Sequence, residues 1–252
     1  MSIKTLVTAI LGIAPLLAMA SIRAAEIKVL ASNGVKEALN ELAPAFERET
    51  KHKLVISFGL AAALKRQIEA GQAFDLAILP AAGLNDLAKQ GKVDARARAA
   101  IARSGVGIGI KKGARRPDIR TPRALKRTLL SAESITWAKE GQSGIYFASL
   151  LQRIGIAEQM RPKIVPAASG AEVGKLVASG KVQLGVILVN ELMAAPGVEV
   201  LGPLPPELQN YTVFHAGVGV GSKDSSAAKA LIKFLTTPAA GAVFRAKGQE
   251  AG

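Results

Sequence analysis

Cysteine is absent from the 252 residues. That excludes disulfides, thiolate metal sites, a cysteine nucleophile and a lipid-modified N-terminal cysteine. Histidine is almost as scarce: the two present are His52 and His215. His52 lies between Lys51 and Lys53 and reads as a solvated turn residue, whereas His215 falls in an apolar run and reads as packing. No His and carboxylate cluster has metal-ligand spacing, and there is neither a Gly-x-Ser-x-Gly elbow nor a P-loop, so catalytic residues, cofactors and metals are not expected. Acidic side chains are the minority, 19 against 33 Lys and Arg, for a formal charge of +14. Such a balance favours anionic partners. Nucleic acid is not expected among them, because the densest basic patch, Lys111 to Arg116, holds no aromatic ring to stack a base and no helix-turn-helix or zinc-finger spacing accompanies it. The patch reads as a solvated loop.

Long apolar runs are also missing, with one exception. Lys4 is followed by the run Leu6 to Ala18 and then by Ala18-Met19-Ala20, small residues where a signal peptidase needs them. Residues 1–25 read as a secretory signal peptide cleaved after 20 or 25, too short in its apolar part to span a bilayer comfortably. The mature chain is therefore expected outside the cytoplasm, in the periplasm. Its 49% apolar content is enough for one large or two modest cores.

What is present is a regular alternation of short apolar strands and amphipathic helices. Glu26 to Leu30 reads as a strand, and Val35, Ala38, Leu39, Leu42 and Phe46 recur at helical spacing after it. Leu54 to Phe58 and Asp75 to Leu79 are further strands, separated by a helix through Leu64 and Ile68. A second set follows: strands Ser134 to Ala138, Lys163 to Pro166 and Leu184 to Val189, with helices opened by Thr121-Pro122, Gln142-Ser143-Gly144 and Ser169-Gly170-Ala171-Glu172. Two glycine-rich strands, Gly105 to Ile110 and Thr212 to Gly221, bracket this set and read as crossovers whose glycines permit hinging. The pattern implies two α/β lobes with parallel sheets.

In such sheets ligands sit beyond the C-terminal ends of strands. Four strand ends, after Leu30, Phe58, Ala138 and Pro166, run into a small or polar turn and then a helix start. Free N–H groups and the positive helix dipole converge there, so an anion can be held without a charged side chain. Ser32 and Asn33, Gly59 and Leu60, Ser143 and Gly144, and Gly170 are the candidates. Ser169 with Glu172 also fits a capping box, a sufficient structural reason for that pair.

Two stretches carry a likeness to known proteins. Leu64-Lys65-Arg66-Gln67-Ile68-Glu69-Ala70-Gly71 with Phe74-Asp75-Leu76-Ala77-Ile78, supported by Gly144-Ile145-Tyr146 and Leu184-Gly185-Val186-Ile187, resembles the periplasmic molybdate-binding proteins of ABC importers. The resemblance implies a type II periplasmic binding protein fold: α/β, two-lobed, two doubly wound sheets joined by two crossover strands. Lobe one would be 26–108 with 214–252, and lobe two 109–213. It further implies hinge closure on a small anion, an oxyanion such as molybdate or a small organic acid, by a monomer that delivers it to a permease in the inner membrane. Ser32 matches the family's oxyanion-binding serine, and Ser143 and Gly170 match positions that use the backbone. The serine-rich second loop is replaced by Gly59-Leu60-Ala61-Ala62-Ala63, and the tyrosine by Leu188, with Asn190 two residues on. Losing two hydroxyl donors costs a buried tetrahedral anion roughly 1–3 kcal/mol apiece, which shifts the expectation toward a carboxylate with an apolar part facing Leu60 and Leu188. An extracytoplasmic sensor or scaffold, or a secreted enzyme, on the same fold are the alternatives.

Overall fold

The structure, a computed structural model, describes residues 24–252, so the expected leader falls outside the described residues except for its last two positions. Among the described residues no helix is long and apolar enough to cross a membrane. The chain opens with β1 (Glu26–Ser32), α1 (Lys36–Thr50), β2 (Lys53–Gly59), α2 (Ala61–Glu69), β3 (Leu76–Pro80) and α3 (Ala81–Lys89). A long strand, β4 (Val93–Lys111), leads to α4 (Pro122–Ser131), β5 (Ile135–Ala138), α5 (Gln142–Arg153), α6 (Ala157–Met160), β6 (Ile164–Ala167), α7 (Gly170–Ser179), β7 (Leu184–Leu188), α8 (Val189–Ala194) and β8 (Val198–Pro203). The last elements are β9 (Tyr211–Gly219), α9 (Ser225–Leu235), α10 (Pro238–Ala246) and β10 (Glu250–Ala251).

The strand order is β2-β1-β3-β9-β4-β7-β5-β6, with β8 and β10 also on β4. Parallel ladders join β1 to β2 and β3, and β5 to β6 and β7, as the strand and helix alternation requires. β4 belongs to both halves: it pairs with β9 up to Gly105 and with β7 from Val106 onward. The return crossing runs through 204–210 into β9. It is stapled to β4 by Gln209, whose Oε1 accepts from the Val106 N–H at 2.9 Å while its Nε2 donates to the Val106 carbonyl at 3.0 Å.

Each half of the sheet is covered on both faces. In the first, α1, α9 and α10 bury Leu39, Phe46, Leu231 and Phe244 on one side, and α2 and α3 bury Leu64, Ile68, Leu84 and Leu87 on the other. In the second, α4, α5 and α6 cover one face through Leu125, Leu129, Phe147 and Met160, and α7 and α8 the other through Val173 and Leu192. Helix starts are set locally. Thr121 and Thr237 accept from the N–H groups of Ala124 and Ala240 ahead of Pro122 and Pro238. Ser169 accepts from the Glu172 N–H at 3.2 Å, and the Glu172 carboxylate reaches back to the Ala168 N–H at 2.7 Å.

Several expectations change. His52 is buried rather than solvated: its Nδ1 accepts from the Ala25 N–H at 3.1 Å, and its ring stacks on Phe46 at 6.1 Å. β4 begins at Val93, twelve residues before the glycine-rich run, because Arg and Ala there alternate along a pleated strand. The crossover glycines have a packing role as well. A Cβ at Gly107 would come within 2.8 Å of Val189 Cγ2, and one at Gly109 within 2.6 Å of Leu192 Cδ2, so these glycines let α8 lie against the strand. Lys111 to Arg116 is an exposed loop, as read, with Arg116 ion-paired to Glu199.

Candidate functional site

β1 and β2 end in register, Ser32 opposite Gly59, so the two turns that follow stand side by side. β5 and β6 do the same in the other half, with Ala138 opposite Ala167. The two pairs of strand ends face each other across a cleft of about 40 Å³. One wall is Ser32, Asn33, Gly34, Gly59, Leu60 and Ala61; the other is Ala138, Gly141, Gln142, Ser143, Gly170, Ile187, Leu188 and Glu191, and Thr212 and Phe214 of β9 complete the lining.

The expected site residues divide as follows. Ser32, Asn33, Gly59, Leu60, Ser143, Gly170 and Leu188 all line the cleft. Ser32 Oγ also accepts from the Gly34 N–H at 3.4 Å, a weak cap that leaves lone-pair and donor capacity free. Ser143 is buried in the first turn of α5, whose N-cap, Gly141, supplies no side chain. Gly144 stands behind the wall: a Cβ there would be 2.1 Å from the Ala138 carbonyl oxygen and 2.7 Å from Trp137 Cδ1, so it seats α5 on β5. Asn190 ties the two walls together, its Nδ2 donating to the Gly34 carbonyl at 2.8 Å, a carbonyl that also accepts from Gln249 Nε2 at 3.1 Å. Leu188 packs into the core of the first half although β7 belongs to the second. At the rim, Arg66 of α2 pairs with Glu140 at 3.3 Å across the same gap.

Sequence reasoning missed Glu191. It lies in the first turn of α8, one residue beyond Asn190, and lines the cleft. The strand-to-helix junction after Leu188 was the available signal, since it is a fifth strand end of the same kind as the other four. No Lys, Arg or His joins Glu191 in the lining, which makes it the single ionisable side chain there. Burial pushes its carboxyl up to about 7, against a smaller pull from the Leu188 amide, and no charged neighbour takes part. A Cβ on Gly170 would sit 2.8 Å from Glu191 Oε1, so the carboxyl is held against the N-terminus of α7. Asn33, Gly170 and Glu191 also line a larger groove of about 560 Å³ between α1, α7 and α8. Both histidines lie outside both cavities, and among the described residues no group of three or more His, Asp or Glu side chains could hold a metal ion.

A family model described as bacterial extracellular solute-binding protein matches residues 27–250. The chain is 28% identical over 219 residues to "Aconitate isomerase" of a Pseudomonas species, covering 84% of this chain and 82% of that one. It is 29% identical over 244 residues to "Molybdate-binding protein ModA" of Azotobacter vinelandii, covering 93% of each. Among solved structures, the periplasmic molybdate-binding protein of Azotobacter vinelandii superposes with a TM-score of 0.75 at 20% identity, covering 88% of this chain and 98% of that one.

Proposed function

We propose, on the premise that the chain belongs to the bacterial extracellular solute-binding protein family, that it captures a small anion between two lobes and delivers it to an ABC permease of the inner membrane. The lobes are 26–108 with 214–252, and 109–213, and the protein works in the periplasm as a monomer after removal of its leader. The observation that carries this reading is the cleft itself: strand ends and helix starts from both halves bring Ser32, Gly59, Ser143 and Gly170 to one space. Hinge closure is stabilised by groups that touch both walls, among them the Asn190 bond to Gly34 and the Arg66–Glu140 pair. Thermal shift against molybdate, tungstate, sulfate and a panel of carboxylates tests it. At least one anion raises the melting temperature in a concentration-dependent way. A panel with no shift overturns the reading.

A second reading has its own support. The relative named for an isomerase and a carboxyl poised near neutral pH inside the cleft are together what a proton-transfer enzyme needs. Proton NMR of cis- and trans-aconitate incubated with the purified protein separates the two. Conversion of one isomer into the other favours an enzyme, and unchanged spectra with binding favour a carrier.

A further inference from the structure

Glu191 is an awkward residue for an anion site. An ionised carboxylate in a small cleft without a cation repels any anion that enters, yet this side chain lines both the 40 Å³ cleft and the neighbouring 560 Å³ groove. Gly170 leaves the space its carboxyl occupies, so the group is built into the wall. The charged groups that share the groove with it are Lys36 and Glu37 on α1 and Lys175 on α7. β7 carries no charged residue. Of the other elements near α8, β4 has Arg103 paired to Glu250, β8 has Glu199 paired to Arg116, and Lys247 after α10 is paired to Glu41. None of these groups moves the Glu191 carboxyl, so nothing nearby neutralises it except a proton.

Resting on the anion-binding reading above, we propose that the ligand is an organic acid bound together with one proton, shared between its carboxylate and that of Glu191, with the body of the ligand lying in the groove. Two carboxyl groups held together cannot both ionise, and they share a proton well because their basicities match. The anion of a strong acid, sulfate for example, competes poorly for that proton and faces a bare carboxylate above neutral pH. The cleft has room for one head group. The adjoining groove, walled by Ala171, Gly174, Ala178 and Ala194, has room for a carbon skeleton, and Lys36 or Lys175 can meet a second carboxylate. No covalent bond forms or breaks; a proton enters with the ligand and leaves with it.

The test is calorimetry of the full mature chain with acetate, succinate, citrate, sulfate and molybdate, at pH 6 and 8, each in two buffers of different ionisation enthalpy. At least one carboxylate binds, its affinity falls about tenfold per pH unit above 7, and close to one proton is taken up per ligand at pH 8. In Glu191→Gln, whose amide still donates a hydrogen bond, the pH slope disappears and sulfate gains affinity relative to the carboxylates. The wild-type proton count stands by itself if that variant does not fold. Carboxylate binding with no proton uptake and no pH slope overturns this proposal while leaving anion capture in place, as does binding of sulfate or molybdate alone. Absence of binding by every anion overturns both.

Discussion

The two walls of the cleft are built by the same device and differ in what they demand of the sequence. On the wall from β1 and β2, the strand ends Ser32 and Gly59 are opposite each other, and no ionisable side chain intrudes. On the wall from β5, β6 and β7, close approach recurs at several glycines. Gly144, Gly107, Gly109 and Gly185 each leave space that a neighbouring atom fills within 2.9 Å of where a Cβ would stand. That wall also carries Glu191. The first wall presents amides and a hydroxyl with one tight approach, at Gly34, where a Cβ would stand 2.4 Å from Phe214 Cζ. The second obtains its shape by close approach and introduces the one group whose charge depends on pH.

Gly144→Ala is the largest blow to the second wall. The new methyl meets the Ala138 carbonyl oxygen at 2.1 Å and Trp137 Cδ1 at 2.7 Å, and neither can retreat, because one is backbone and the other is packed edge-on against Phe147. α5 must lift from β5, at a cost of about 3 kcal/mol or more. Urea unfolding measures the loss, and the emission of Trp137, the one tryptophan of the chain, reports whether the native environment survives. An unchanged midpoint would mean that α5 is not pinned as described.

Glu191→Gln acts next, and its sign depends on pH. The carboxyl goes from an ordinary value of 4.5 to about 7 on folding. Between those values the folded protein holds the extra proton, so stability falls as pH rises from 4.5 through 7 and then levels off. Glutamine escapes that fall. The variant is therefore more stable than wild type at pH 8 by about 2–3 kcal/mol and no more stable at pH 4. Melting curves at the two pH values check it, and an equal difference at both would show that Glu191 is not held neutral by folding. Ser32→Ala tests the first wall in turn. Removal of its hydroxyl weakens the tightest anion of the panel about tenfold, and titration of Trp137 emission measures it.

The sequence showed the first wall better than the second, and the reason is physical. Ser32 and Gly59 lie at the ends of apolar runs that read as strands, and the turn after each is small or polar, so both position and chemistry are local properties. Gly144, a candidate from the same local pattern, also seats a helix, which only the Ala138 and Trp137 contacts reveal. Asn190 and Glu191 are neighbours in the first turn of α8, and a helical turn aims them differently: Asn190 bonds the Gly34 carbonyl, and Glu191 lines the cleft. The reading of His52 failed for the same reason, since flanking lysines indicate solvent while its partners, Ala25 and Phe46, are distant or out of sight in the chain. Periodicity and turn chemistry locate an element; the direction of a side chain within its turn is settled by packing.

Asn190→Ala loosens the tie between the walls without touching either. It removes a 2.8 Å bond to the Gly34 carbonyl, but Gln249 still bonds that oxygen, and the variant also discards an Asn190 Oδ1 that is buried without a partner. The net loss is about 1 kcal/mol or less, felt as a shift from closed toward open lobes that small-angle scattering detects as a larger radius.

Gly59→Ala has the smallest effect and separates the walls most cleanly. Its new methyl points at Leu64, 3.2 Å from Cδ2 and Cγ, where a flexible side chain can yield by a few tenths of an ångström. That small strain is set against the reduced freedom of the unfolded chain, worth about 0.4–1 kcal/mol in favour of alanine. Stability stays within about 0.5 kcal/mol of wild type, and because the N–H at position 59 is retained, anion affinity stays within about twofold. A loss as large as that of Gly144→Ala would mean that the first wall is as tightly seated as the second. An affinity loss without a stability loss would mean that the methyl reaches the anion, and that Gly59 owes its place to space in the cleft as well as to its amide.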